Sequence, residues 1–268
     1  GARYLLTIPQ FLPNALAAAQ EVGGIEEIFV FGEAEGATPF ASLLKSDGQL
    51  RPVEINPKED LVVLPYSSGT TGFPKGVMLT HYNLVANVTQ CVTAPSLPEN
   101  EVRESDVVLG LLPFYHIYGM VVIMSWALYK GATVVTMPRF DMEQFLGTMQ
   151  KYAVTNAILV PPIILGLAKH PVVAQYDLSK LRLVVSGAAP LGADLEAAVH
   201  QRLNVSVMQG YGMTEASPVT HFRGYTPPGK PKGGSVGAPV PNTKVRVVDV
   251  ATGADLGPNQ DGELLIWG

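Results

Sequence analysis

Short apolar runs alternate along the chain with segments of helical period, which predicts a layered α/β domain with helices flanking a largely parallel sheet. Two βαβ units are predicted. The first has strands at 4–8 and 28–31 around a helix at 14–22, and the second has strands at 133–137 and 157–160 around a helix at 141–152. In the second helix Asp141 is a candidate N-cap, and the apolar side chains on one face are core positions: Met142, Phe145, Leu146 and Met149.

The remaining pattern predicts further strands and a change of character near residue 224. Strands at 61–66 and 76–79 flank a polar loop, Thr80 caps a helix that extends to about residue 92, and a strand at 183–185 ends in a Gly-Ala-Ala-Pro turn. Residues 224–237 are rich in Gly, Pro and Lys and indicate a loop, followed by strands at 244–250 and 263–267. We therefore predict an α/β core at 1–223, then a linker and the start of a smaller β-rich subdomain at 224–268.

The polar loop at 66–77 has the chemistry of a phosphate-binding loop. Its glycines allow backbone N–H groups to approach an anion, its hydroxyls add donors and Lys75 adds a positive charge. It is not a Walker A motif, because Lys75 follows Pro74 and no Ser or Thr comes next. The candidate phosphate ligands are Ser67, Ser68, Gly69, Thr70, Thr71, Gly72 and Lys75.

Composition excludes several classes of function. With 23 acidic and 18 basic residues the net charge is -5, which disfavours nucleic-acid binding. The single cysteine, Cys91, excludes an internal disulfide framework and suits a reducing compartment, the cytoplasm or a peroxisome; it is expected to be a buried helix residue and not a nucleophile. The uncharged segment 107–129 is interrupted by Pro113, His116 and two glycines, so it predicts a strand, a loop and a buried helix and no transmembrane segment.

Five motifs occur in order over nearly the whole chain and resemble those of the adenylate-forming superfamily. This superfamily includes acyl-CoA synthetases, 4-coumarate:CoA ligases, firefly luciferases and peptide-synthetase adenylation domains. The motifs are YSSGTTGFPKGV at 66–77, LPFYHIYG at 112–119, SGAAPLG at 186–192, QGYGMTE at 209–215 and GELLIWG at 262–268.

The resemblance implies roles for individual residues. Tyr211 would stack on adenine, Thr214 would bond the α-phosphate, and Glu215, with Thr70, would hold Mg²⁺. Lys75, His116, Thr214 and Glu215 are the implied catalytic residues, with His116 at the junction of carboxylate and acyl pocket. The implied nucleotide contacts also include Gly187, Ala188, Ala189, Gln209 and Gly210, and Arg139 falls where CoA ligases commonly have a basic residue near the CoA nucleotide.

The acyl pocket implied by residue matching indicates the substrate class. Its lining would be Tyr118, Val122, Gly187, Gly210, Pro218 and Val219. Amino-acid-activating domains usually place an aspartate after the phenylalanine of the second motif, but here Tyr115 and His116 follow Phe114, and no acid lies between Leu112 and Tyr129. Because an unpaired buried ammonium is costly, an uncharged hydrophobic acid is the expected substrate.

The expected function is that of an ATP-dependent acid:CoA ligase resembling 4-coumarate:CoA ligases, which forms an acyl-AMP and then a CoA thioester. The substrates and cofactors implied are a carboxylic acid, ATP, CoA and Mg²⁺. A medium- or long-chain fatty acyl-CoA synthetase is the nearest alternative, luciferase-type oxidation is another, and a non-catalytic nucleotide-binding module is the alternative of a different class. The chain has no initiator Met and lacks the family's C-terminal domain, so we expect an excerpt of a longer protein.

Overall fold

The computed structural model describes residues 1–49, 52–67, 73–93, 102–223 and 232–268. Within these ranges the chain divides into two compact units, residues 1–55 and 56–268. The domain boundary predicted near residue 224 is not the boundary between these two units, and it stays a prediction. Residues 224–231, which are part of the linker expected there, lie outside the described residues.

The first unit is the predicted βαβ element extended by one short strand. It contains β1 (Tyr4–Thr7), α1 (Leu12–Val22), β2 (Glu27–Val30) and β3 (Thr38–Pro39), with short 3₁₀ helices at Pro9–Phe11 and Phe40–Lys45. The three strands are parallel in the order β1-β2-β3. Helix α1 begins two residues earlier than predicted because Pro13, at the start of a helix, needs no hydrogen-bonded N–H there.

The second unit contains all of the motifs. Its strands are β4 (Leu61–Val63), β5 (Tyr66–Ser67), β6 (Lys75–Gly76), β7 (Leu79–Thr80), β8 (Val107–Gly110), β9 (Thr133–Thr136), β10 (Asn156–Leu159), β11 (Leu183–Ser186), β12 (Ser206–Gly212), β13 (Val219–Phe222), β14 (Ala238–Pro239), β15 (Lys244–Val248) and β16 (Glu263–Trp267). Its helices are α2 (His81–Thr93), α3 (Trp126–Tyr129), α4 (Met142–Lys151), α5 (Pro161–Lys169) and α6 (Ala193–Leu203). A π-helical segment spans Tyr118–Ser125, and 3₁₀ helices span Pro171–Gln175 and Thr214–Ala216.

A seven-stranded sheet in the order β14-β13-β12-β11-β10-β8-β9 forms the centre of this unit. The five strands from β12 to β9 pair in parallel, and β13 and β14 continue the sheet in the antiparallel sense. Helices α4, α5 and α6 contribute to the core on one face, and α2, the π-helical segment and α3 to the core on the other. The predicted α/β class with a largely parallel, helix-flanked sheet is therefore confirmed.

Strand alternation divides side chains between the two faces. In β10, for example, Leu159 belongs to the core that contains Phe145 of α4, whereas its neighbour Ile158 belongs to the core that contains Ile123 and Trp126. Burial of apolar side chains on both faces is typical of a parallel sheet covered by helices.

Local signals account for several element boundaries. Asp141 accepts a hydrogen bond from Gln144 N at 3.0 Å, and Thr80 Oγ1 accepts one from Asn83 N at 3.2 Å, so both predicted N-caps are confirmed. The strand predicted at 61–66 is instead split into β4 and β5. Pro65, which cannot donate to a ladder, lies between them, and its carbonyl accepts from Val77 N at 2.9 Å.

Two further expectations are met. Cys91 is buried in α2, and the face of α4 that carries Phe145, Leu146 and Met149 is buried. The uncharged segment contains β8, the π-helical turns and α3. In the described part of the chain, no helix is both long enough and apolar enough to cross a membrane.

Candidate active site

A cavity of about 210 Å³ lies at the carboxyl ends of β11 and β12, where ligands commonly bind in open α/β sheets. Ten of the predicted site residues line it together, although they come from three separate segments of sequence. They are His116, Tyr118, Val122, Gly187, Ala188, Gly210, Tyr211, Thr214, Pro218 and Val219. The structure therefore brings the second, third and fourth motifs together around one space.

Tyr118 and Gly187 meet at one wall of this cavity. A Cβ built on Gly187 would lie 2.8 Å from both Cζ and Oη of Tyr118, so only glycine leaves room for the phenol in this position. The Tyr118 hydroxyl donates to the Leu159 carbonyl at 3.4 Å. Burial raises the pKa of Tyr118 above its usual value, so the phenol stays neutral and presents a polar group within a mostly apolar lining.

The end of β11 adds a buried hydroxyl and a strained backbone. Ser186 is 1% exposed, and its Oγ has no hydrogen-bond partner among the described residues. Two positions later Ala188 has φ of 68°, a left-handed conformation that a residue with a side chain rarely adopts. Strain of this kind is frequent where a backbone is held against a ligand.

A close backbone turn positions the opposite wall. Met213 N donates to Pro218 O at 2.9 Å, and a Cβ on Gly212 would lie only 2.1 Å from that same oxygen. The turn between β12 and β13 therefore closes tightly only with glycine at 212. It places Thr214, which is half-buried, beside Pro218 at the cavity.

Tyr211 presents an aromatic ring at the cavity. The ring is 40% exposed and packs edge-on against His221 with centroids 5.9 Å apart. His221 is buried, with its Nδ1 3.0 Å from Thr220 Oγ1, and burial lowers its pKa. The neutral imidazole of His221 thus packs against the Tyr211 ring and leaves part of the Tyr211 ring surface available for a planar group.

His116 lies exposed at the cavity, and its orientation is set by a local hydrogen bond. Its Nδ1 accepts from Tyr118 N at 3.2 Å, which requires an unprotonated Nδ1. In the neutral ring the proton is then on Nε2. His116 can therefore donate a hydrogen bond from Nε2 to an anionic group in the cavity.

The margin of the phosphate loop lies against the fourth motif. Ser67 and Lys75 are cross-strand partners in the β5–β6 pair, and Ser67 Oγ donates to Glu215 Oε1 at 3.3 Å. A positive charge, a hydroxyl and a carboxylate are thus grouped at one place. Five members of the predicted loop, Ser68, Gly69, Thr70, Thr71 and Gly72, lie outside the described residues.

The metal expectation depends on Glu215. Its carboxylate is exposed beside the loop, and Mg²⁺ in phosphate sites is commonly held by one or two carboxylates plus substrate oxygens, so the group fits. Thr70, the second predicted ligand, is not described. Within the described ranges there is no group of three or more His, Cys, Asp or Glu side chains suited to a metal ion.

Besides Ser67, Lys75 and Glu215, three other described residues of the predicted site do not line the cavity. Gln209 is buried, with Oε1 accepting from Leu191 N at 3.1 Å and Nε2 donating to Leu191 O at 3.0 Å. Its amide therefore bonds the loop after β11, and the expected cofactor contact of Gln209 stays a prediction. Ala189 is exposed next to the strained Ala188, and Arg139 is exposed after the edge strand β9.

Six lining residues were not predicted, and they are Ile117, Val185, Ser186, Gly212, Met213 and Phe222. Ser186 carried a readable signal, because a polar residue that ends a buried apolar strand lies where parallel sheets bind ligands. Phe222 carried none, since it resembles any other apolar strand residue. Its place in the lining follows from the pairing of β13 with β12.

Comparison with known proteins agrees with this geometry. The family described as AMP-binding enzyme matches residues 1–268. A relative named 4-coumarate–CoA ligase 5, from Oryza sativa subsp. japonica, is 42% identical over 272 residues, which cover 100% of this chain and 50% of the relative. The chain thus spans about half the length of the curated relatives it matches.

Solved structures show the same fold. The anthranilate CoA ligase AuaEII in complex with anthranoyl-AMP superposes with a TM-score of 0.86 at 27% identity, over 99% of this chain and 50% of that one. A long-chain-fatty-acid-CoA ligase, FadD1 from Archaeoglobus fulgidus, superposes with a TM-score of 0.83 at 28% identity, over 100% of this chain and 53% of that one.

Proposed function

Because the chain belongs to the AMP-binding enzyme family, we propose that it supplies the ATP and acid sites of an acid:CoA ligase that makes acyl-AMP from a hydrophobic aryl carboxylate. The observation that carries the proposal is the cavity itself. It is lined by three of the motifs, and its lining residue Thr214 is followed by Glu215, which accepts a hydrogen bond from Ser67. The division into a core at 1–223 and a linker with a β-rich start at 224–268 belongs to the same proposal.

The chemistry requires two anions to meet, because a carboxylate attacks the α-phosphate of ATP and pyrophosphate leaves. Lys75 would offset the charge of the outer phosphates, and the Thr214 hydroxyl would bond the α-phosphate. His116 would donate from Nε2 to the substrate carboxylate and orient it. Tyr211 offers its ring to adenine. Each group acts by positioning or by neutralising charge, which is the main catalytic contribution in phosphoryl chemistry.

Glu215 would hold Mg²⁺, which when bound supplies further charge neutralisation on the phosphates. Ser67 donates a hydrogen bond to Glu215 Oε1, so the Glu215 carboxylate is oriented before nucleotide binds. The CoA thiol would then lose its proton and attack the acyl carbonyl, the acyl–oxygen bond to the phosphate would break, and AMP would leave. Arg139 is our candidate contact for the CoA nucleotide.

The lining favours an uncharged apolar acid. Among the described residues that line the cavity there is no carboxylate that could pair with a substrate ammonium, and the acyl portion would lie between Tyr118 and the pair of Pro218 and Val219. The relatives named 4-coumarate–CoA ligase support the same class.

A fatty acyl-CoA synthetase is the second candidate, and the likeness to the long-chain-fatty-acid-CoA ligase favours it. Calorimetric titration of the chain with AMP and with non-hydrolysable coumaroyl and dodecanoyl adenylate analogues separates the candidates. We expect the coumaroyl compound to bind most tightly. Tighter binding of the dodecanoyl analogue would favour the fatty acyl-CoA synthetase. Equal affinity for AMP and both analogues would indicate a nucleotide-binding module without an acid pocket.

Two variants connect this result to the site. Thr214→Ala should weaken binding of the coumaroyl analogue by about tenfold or more, because it removes a group aimed at the phosphate isostere. Lys75→Ala should weaken binding of ATP by about tenfold or more, because it removes the charge aimed at the outer phosphates. Lys169→Ala, which removes an exposed lysine at the end of α5, is the matched control for lost charge. Equal effects of Lys75→Ala and Lys169→Ala would contradict the proposed role of Lys75.

A further inference from the structure

Asn87 of helix α2 makes a two-way contact with one backbone unit of the cavity wall. Its Nδ2 donates to Val219 O at 2.8 Å, and its Oδ1 accepts from Val219 N at 3.1 Å. Asn87 is only 3% exposed and does not line the cavity. Its amide thus satisfies both main-chain polar groups of a residue 132 positions away in sequence.

The contact occurs where the sheet itself is irregular. Val219 begins β13, and the β12–β13 register shifts between Tyr211 and Gly212. At such a shift the ladder does not fix the strand unaided. Asn87 adds two hydrogen bonds to Val219 at this point, and Val219 in turn lines the cavity.

A second amide side chain, that of Gln90, connects helix α2 to another segment of the same chain. Asn87 Nδ2 also donates to Gln90 Oε1 at 3.0 Å, and Gln90 Nε2 donates to Pro241 O at 2.7 Å. Pro241 does not line the cavity. Gln90 therefore makes a comparable contact from the same helix, but to backbone outside the site.

The position of α2 in the chain connects the Asn87 contact to the loop that carries Lys75. The helix follows directly on β7, which comes three residues after the β6 strand that carries Lys75. The same short stretch of chain therefore holds the margin of the phosphate loop at one end and the Val219 wall at the other.

We propose that Asn87 is a positioning residue for the acid pocket, which it acts on by fixing the backbone of Val219; this inference rests on the function proposed above. Asn87 touches no reactant, so its loss should affect the acyl contribution to binding and leave the nucleotide contribution in place. A merely structural role would weaken both contributions alike.

The test compares dissociation constants of the chain for AMP and for the coumaroyl adenylate analogue. Asn87→Ala should weaken binding of the coumaroyl analogue about tenfold, while the affinity for AMP should change by less than about twofold. Gln90→Ala should leave the ratio of the two constants at its wild-type value. Asn87→Asp keeps an acceptor for Val219 N but sets a carboxylate oxygen against Val219 O, so it should lower coumaroyl affinity at least as much.

Asn87→Ser provides a milder variant should Asn87→Ala fail to fold, since its hydroxyl can bond one group of Val219; we expect an intermediate loss in the ratio. An unchanged ratio in folded Asn87→Ser or Asn87→Ala, or an equal loss of both affinities, overturns the positioning role alone. A folded wild-type chain that does not bind the coumaroyl analogue more tightly than AMP overturns both this role and the proposed function.

Discussion

Ser67 and Glu215 are 148 residues apart in sequence, yet the Ser67 hydroxyl donates to Glu215 Oε1 at 3.3 Å. The bond joins the first motif to the fourth. It also fixes one carboxylate oxygen while the other stays available, next to the strand pair that carries Lys75. Two segments that the sequence marks as nucleotide-binding thus share one local arrangement.

Glu215→Gln removes the negative charge of this side chain and keeps its size and shape. The amide oxygen can still accept from Ser67, so we expect folding to be unchanged, but the anionic ligand for Mg²⁺ is lost. Affinity for Mg²⁺-ATP should fall by about tenfold, and affinity for AMP without Mg²⁺ should change little. Glu263→Gln, on the exposed side of β16, is the control. Equal loss in both titrations would contradict a metal role.

Gly187→Ala should damage the acid pocket directly. The new Cβ would lie 2.8 Å from Tyr118 Oη, so the phenol must move, and overpacking of this kind typically costs about 1–3 kcal/mol. We expect a lower free energy of unfolding in urea and loss of coumaroyl analogue binding. Gly192→Ala is the matched control, because a Cβ there has no neighbour within 4 Å. Stability shifts of the same size in both variants would refute the account of this contact.

His221 predicts a pH dependence of stability. Burial lowers its pKa in the folded protein, so the unfolded chain, with a histidine pKa of about 6.5, binds a proton more readily than the native state. The contribution of neutral His221 is fully present above that pH and declines as pH falls through the folded-state pKa. The free energy of unfolding should fall between pH 7.5 and pH 5, and His221→Gln should flatten that fall. An unchanged slope would exclude His221 as its source.

Cys91 should be chemically silent in the native protein. Burial raises the pKa of the thiol to about 12, and the residue is 5% exposed. The reactive thiolate is therefore scarce and shielded at pH 8. Ellman's reagent should give no rapid reaction with folded protein and one thiol per chain in denaturing urea, since the chain has a single cysteine. Rapid native labelling would show that α2 does not bury this face.

The sequence was sufficient where a local pattern determines the structure. The strand at 263–267 is observed as predicted, because a short apolar run next to a glycine favours a strand, which here pairs with β15 and is half-buried. The caps at Thr80 and Asp141 are likewise local. Helix α5 has no counterpart among the predicted elements, because its Pro161–Pro162 start resembles a loop although proline suits a first helical turn.

Long-range contacts set the limit of prediction at the site. In β12, Met208 belongs to the core on the cavity side, so the two-residue period turns Gln209 toward the opposite face, where it meets Leu191 and Glu196. That period was readable, whereas the cofactor contact that the motif resemblance implies for Gln209 stays a prediction. The contact of Asn87 with Val219 had no local signal, since it depends on packing of a helix against a distant strand.

The most direct test of the proposed function is a crystal structure of this chain with the non-hydrolysable coumaroyl adenylate analogue. We predict electron density for the aryl group between Tyr118 and Val219, with adenine against the Tyr211 ring and the phosphate isostere near Thr214. Density with the aryl group outside this cavity, or nucleotide bound away from the Ser67 and Glu215 pair, would contradict the assignment of the acid and ATP sites.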